Sequence, residues 1–198
     1  MKRSLTTRVG LLIAAGAAAF VLLAPKEAHA QALQTINYST SFDSNPTSGW
    51  FSGGNAGYDE SGPPPNCCSH TGTGNLWLNW TWSGGSNQWN SWNRFFNPNG
   101  FSATHGYCDV SLWTQTSSTF TDGLIDIWQA HGTSVVKLLD EYSISQSSSY
   151  TQQTFNSLDI SAATAVGDNI LVVFGFWGET YNQWIRIDDV NVQCWVYN

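Results

Sequence analysis

The sequence predicts an all-β fold, a sandwich of two packed antiparallel sheets, on three observations. Apolar residues alternate with a period of two after each turn signal, no stretch beyond the first thirty residues repeats at helical spacing, and Gly, Pro and Asn turns recur at short intervals. Many short strands joined by such turns must bury one face each, and two sheets laid face to face are the usual solution.

The elements follow in chain order. Residues 1–30 are expected to be a signal peptide: Lys2, Arg3 and Arg8 form a basic start, residues 9–23 an apolar run, and Ala28-His29-Ala30 a small-residue cleavage site. The run is too short to span a membrane. Residues 31–198 then form a single domain, expected to be secreted to the extracellular side. Trp50 anchors an opening strand. Residues 75–82 place Leu76, Leu78, Trp80 and Trp82 on one face, with Trp77, Asn79 and Thr81 on the other. Residues 108–115 alternate Cys108, Val110 and Leu112 against Asp109, Ser111 and Trp113. In residues 124–129, Ile125 and Ile127 oppose Asp126 and Trp128. Residues 135–144 and 170–177 are two more strands, the second with Ile170, Val172, Phe174 and Phe176 in phase against Trp177. Residues 161–167 allow one helical turn. In the last strand, residues 184–196, the apolar phase slips at Asp188-Asp189, which predicts a β-bulge presenting two carboxylates.

Charge restricts the partners. Residues 1–30 hold four of the seven basic residues and one of the fourteen acidic ones, so the remainder keeps Arg94, Lys137 and Arg186 against thirteen acids, a formal charge of −10. Such a surface repels phosphate backbones and anionic lipid, which argues against nucleic-acid and membrane partners and leaves neutral ligands or a divalent cation. The four cysteines, Cys67, Cys68, Cys108 and Cys194, are expected to form disulfides in an exported chain. Neighbouring Cα atoms lie about 3.8 Å apart, below the usual disulfide range, so Cys67 and Cys68 are each expected to pair with Cys108 or Cys194. The rival reading is a metal site, from Cys67-Cys68-x-His70 and His105-x-x-Cys108.

The eleven tryptophans carry the functional signal, five of them within residues 77–92. Parity assigns Trp80 and Trp82 to the core. Trp77, Trp113, Trp128 and Trp177 fall on the opposite parity among polar residues, and if their strands share a sheet they line one indole-studded face with Asp126 as polar partner. Flat apolar rings beside carboxylates and amides suit the C–H faces and hydroxyls of a carbohydrate. Trp89 and Trp92, in a loop or twisted strand, are expected to form a side wall.

These residues resemble the galactose-binding-like β-jelly-rolls, a group with many secreted carbohydrate-binding modules; MAM and cleaved-adhesin domains have similar ends. The opening Phe42-Asp43 … Gly49-Trp50, Gly74-Asn75-Leu76, Leu158-Asp159-Ile160-Ser161 with Gly167, and Ile187-Asp188-Asp189-Val190 carry the likeness. The Trp-rich middle and the Cys67-Cys68 loop have no counterpart. The resemblance implies jelly-roll topology, a non-catalytic lectin-like role, and a structural calcium held by Asp43 and Asp188 with Asp189 beside them. Two alternatives stand. One is a jelly-roll glycoside hydrolase using Asp126 and Glu179, since such enzymes need two carboxyls across a cleft; Glu141, on an exposed parity, and Glu60, in a loop, are the other acids in suggestive settings. The other is an adhesion module that uses the aromatic face as a protein interface.

Overall fold

In the computed structural model, residues 32–43, 48–60, 68–81, 87–98, 103–179 and 182–198 are described. Residues 1–30, expected to be a signal peptide, and Cys67 and Trp82 lie outside them.

The strands are β1 (Leu33–Thr40), β2 (Trp50–Gly53), β3 (Ala56–Asp59), β4 (Asn75–Trp80), β5 (Gln88–Phe96), β6 (His105–Thr116), β7 (Gly123–His131), β8 (Ser134–Ile144), β9 (Thr151–Asp159), β10 (Asp168–Gly178) and β11 (Gln183–Tyr197). A 3-10 turn, Ser161–Ala163, stands where the sequence allows a helical turn. The first sheet runs β3-β4-β11-β6-β9 with β1 also paired to β11, and the second runs β2-β5-β10-β7-β8. The pairings are antiparallel and the chain passes between sheets, the jelly-roll arrangement expected.

The core lies where the inward parities meet. Leu76, Leu78, Val110, Leu112, Ile185, Ile187, Val190 and Val192 from the first sheet face Ile125, Ile127, Ile170, Val172, Phe174 and Phe176 from the second. Trp50 stacks on Phe174, with centroids 5.6 Å apart, so the opening strand is anchored as its Trp predicts. Burial of this apolar surface is the main force joining the sheets.

The bulge in β11 is present. Its register with β6 shifts between Asp188 and Asn191, and Asp189 takes φ +46, a left-handed conformation that Asp tolerates better than most residues. The extra residue restores the inward phase for Val190, Val192 and Cys194.

The cysteine pairing needs correction. Cys108 and Cys194 are register partners on β6 and β11, both fully buried, and they bond each other. The disulfide therefore crosses two adjacent strands. Cys68 is disulfide-bonded as well, so its bridge involves neither of these. The expectation failed because it constrained the adjacent pair by chain geometry while the register of strands 86 residues apart was invisible.

Candidate functional site

The outer face of the second sheet carries an open cleft. On β7, Ile125 and Ile127 point into the core, so Leu124, Asp126 and Trp128 point out. Register sets their neighbours: Asp126 lies between Val173 of β10 and Glu141 of β8, and Trp128 lies between Leu171 and Leu138. One end is closed by Trp89 and Trp177, cross-strand partners with ring centroids 5.5 Å apart. Gly175 makes this possible, because a Cβ there would stand 2.3 Å from the Trp89 ring. The indole lies across β10 where a side chain would otherwise rise.

The cleft has a volume of about 410 Å³ and is lined by Trp89, Leu124, Asp126, Trp128, Leu138, Glu141, Val173 and Trp177. That size suits a small ligand or part of a chain. Trp177 is 45% exposed, Trp89 and Trp128 are half-buried, and Asp126 is only 5% exposed. Along the same face, Phe51 stacks on Phe95 with centroids 5.5 Å apart.

Asp126 is the polar centre. Its Oδ2 accepts a long hydrogen bond of 3.4 Å from Trp128 Nε1, and its Oδ1 is buried with no partner. Burial, then the facing Glu141 carboxylate, pushes its pKa up to about 6, against the pull of the Trp128 hydrogen bond. An aspartate so placed changes charge close to neutral pH.

The expected platform of four indoles divides. Trp128 and Trp177 share the cleft with Asp126 and Trp89. Trp77 and Trp113 lie on the outer face of the first sheet, where Arg186 of β11 pairs with Trp77 and Asp188 with Trp113. Parity correctly sent all four outward but could not assign a sheet. Trp113 is already covered, since His70 stacks on it at 3.8 Å. Trp92 is corrected from side wall to core: it is 7% exposed and its Nε1 donates to Trp77 O at 3.0 Å. Residues 89 and 92 sit on one strand with opposite parity, so they face opposite ways. Trp80 is in the core as expected.

The hydrolase pair also separates. Asp126 sits level with Val173, and Glu179 lies six residues further on, just past the end of β10 and about 20 Å away at strand rise. Glu179 accepts from Asn87 Nδ2 at 3.3 Å. The carboxylate facing Asp126 is Glu141, whose place depends on a β7–β8 register that shifts twice past Ile127. The sequence marks Glu141 by its exposed parity but does not pair it with Asp126, and Leu124, Leu138 and Val173 were not singled out, because only strand order brings these residues together.

Asp43, Asp188 and Asp189 do converge, on the loop at residues 69–73. Asp43 Oδ1 accepts from Thr73 N at 2.6 Å and its Oδ2 from the Ser41 hydroxyl at 2.7 Å. Fully buried Asp188 accepts from His70 N at 2.7 Å, Thr71 N at 3.1 Å and Asp189 N at 2.8 Å. Asp189 accepts from the Thr71 hydroxyl and meets His70 Nδ1, both at 2.6 Å. Calcium wants several converging oxygens, whereas these carboxylates point at N–H and O–H donors. Among the described residues no three His, Cys, Asp or Glu side chains are grouped to hold a metal. The side chains as arranged do not form a calcium cage.

No family profile and no curated protein sequence matches the chain. Solved structures do. It is similar to the CBM22-1 xylan-binding domain from Paenibacillus barcinonensis Xyn10C, at 12% identity and a TM-score of 0.50 over 82% of this chain and 95% of that one. The Stig cyclase Fisc from Fischerella sp. TAU, solved with (3Z)-3-(1-methyl-2-pyrrolidinylidene)-3H-indole, matches at 11% and 0.52 over 83% of this chain and 98% of that one. The enzymatically active domain of bacteriophage CBA120 tailspike protein 4 matches at 11% and 0.52, over 80% of this chain but 21% of that one. At these identities the likeness is one of fold, a two-sheet β-jelly roll, the architecture that the end motifs predict. A fold that serves both a xylan-binding domain and a cyclase leaves function to the site.

Proposed function

We propose that this chain is an exported, non-catalytic carbohydrate-binding module whose ligand lies in the cleft on the second sheet. The observation that carries the reading is the grouping of Trp89, Trp128 and Trp177 around Asp126. Three indole faces offer stacking for sugar rings, and an unpartnered carboxyl oxygen offers a directional contact. The xylan-binding domain of like fold supports it. Export is supported by the signal-peptide pattern of residues 1–30 and by the buried Cys108–Cys194 disulfide.

The test is a pull-down of the purified protein on insoluble polysaccharides, with supernatants assayed for reducing ends. Retention on one glycan class without product is expected, reduced at least about tenfold in Trp128→Ala and Trp177→Ala and preserved in Trp113→Ala. Loss in Trp113→Ala alone would move the site to the first sheet. A second reading, glycoside hydrolysis, is favoured by one observation: Asp126, with its raised pKa, faces a second carboxylate, Glu141. Release of reducing ends that stops in Asp126→Asn would establish that reading instead. No retention on any glycan would overturn both and leave the adhesion role.

A further inference from the structure

Every cation of residues 31–198 is held away from the cleft. The Arg94 guanidinium lies over the Tyr38 ring, 4.2 Å from its centroid, and donates to Ser48 O at 2.7 Å. Arg186 lies over Trp184 on the first sheet, 5.6 Å from the ring centroid. Lys137, beside Leu138 on β8, acts on Asp159 and is not among the groups that shift Asp126. None of the lining residues is basic. The cleft thus holds two carboxylates and three indoles with no positive charge.

Two like charges directly across a strand pair are unfavourable, and a buried carboxylate oxygen with no partner is costly. Asp126 combines both: it is the register partner of Glu141, it is 5% exposed, and its Oδ1 has no donor. A neutral hydroxyl would satisfy the oxygen but leave the charge. A protonated amine would satisfy both, and the Trp89, Trp128 and Trp177 faces attract cations in their own right.

We propose that the cleft selects a ligand bearing a protonated amine, of the amino-sugar class, with its nitrogen between Asp126, Glu141 and the surrounding indoles. The proposal deepens the carbohydrate reading and rests on it for the sugar, while the amine contact stands on the cleft's own charges. Groups facing Asp126 from its packed elements are Glu141 on β8 and none that titrates on β10, where Val173 and Gly175 flank it. Ligand preference should therefore follow the ionisation of Asp126.

The test compares two hexamers that differ only at nitrogen, glucosamine and N-acetylglucosamine, by titration calorimetry near pH 6.5, with ethanolamine, a sugar-free primary amine protonated at that pH, as competitor. The amine form is expected to bind on the order of tenfold more tightly, the size of one desolvated cation contact. Added salt should shrink the preference, and ethanolamine should displace the amine form. Asp126→Asn should bring the two hexamers toward parity, and the exposed Glu141→Gln should lower the ratio without risk to folding. Equal binding of both hexamers, or tighter binding of the acetylated one, would overturn the amine proposal while leaving the carbohydrate reading intact. Ethanolamine binding with no hexamer bound would uphold the amine site and overturn the sugar. No binding by any of the three would overturn the proposal.

Discussion

Asp126 shows how one side chain sets both stability and recognition. Its pKa of about 6 lies above the roughly 3.9 of an unfolded aspartate, so the folded state holds the proton more tightly. Stability from the protonated form is complete below about pH 4 and is lost as pH rises through about 6. Asp188, raised to about 6 chiefly by burial, acts with the same sign. Asp43 and Asp159 are lowered by hydrogen bonds, so their losses come as pH falls below the ordinary carboxylate range, outside this window. Asp126→Asn keeps the shape and removes the charge. It is expected to melt about 3–6 °C above the parent at pH 7, from a burial cost of order 1–2 kcal/mol, and close to it at pH 4. Thermal melts across that range decide it. A variant that melts lower at pH 7 would mean that the buried charge is compensated after all. Alternation alone placed Asp126 outward beside Trp128; that it would be buried there required Val173 and Glu141 to arrive from other strands.

At the scale of elements, the cleft depends on β10 lacking a side chain at one position. A Cβ at Gly175 would meet Trp89 Cζ2 at 2.3 Å and Asn90 O at 2.9 Å, so the indole can lie flat only over glycine. Gly175→Ala is expected to lift Trp89 toward solvent, shift indole emission to the red, and weaken glycan binding at least about tenfold. The stability loss should be only about 1–3 kcal/mol, the usual cost of overpacking. Unchanged affinity by calorimetry would remove Trp89 from the platform. Legibility varied strand by strand for physical reasons. Clean alternation exposed β4, β6, β7, β10 and β11, and the slip at Asp188-Asp189 exposed the bulge. Strand β5 was ambiguous because both its faces are covered: Trp92 turns inward while Ser91 and Asn93 are buried on the other parity. Strand β9 escaped because it is polar and breaks phase at Ser157, which takes φ +58.

For the whole molecule, periodicity implied two sheets, but strand order decides which outward faces coincide, and no single-strand pattern contains it. That is why four outward tryptophans became two pairs on opposite sides of the sandwich. The same limit bears on how the chain ends are tied. The loop at residues 69–73 lies between Asp43, after β1, and Asp188-Asp189, in the bulge of β11, and binds them with amide and hydroxyl donors. Tyr58 adds a bond from its hydroxyl to Phe42 O at 2.6 Å. Each carboxylate is satisfied by hydrogens, so a calcium ion would have to displace those donors and re-aim the oxygens before gaining its own contacts. A ligand stabilises only to the extent that it prefers the folded state, and this arrangement gives calcium little to prefer. Melting temperatures in chelator and in millimolar calcium are therefore expected to agree, with magnesium as the control for general screening of the acidic surface. A rise with calcium alone, abolished in Asp43→Asn, would show that these carboxylates turn to a cation, and the tie between the two ends of the chain would then be a metal centre.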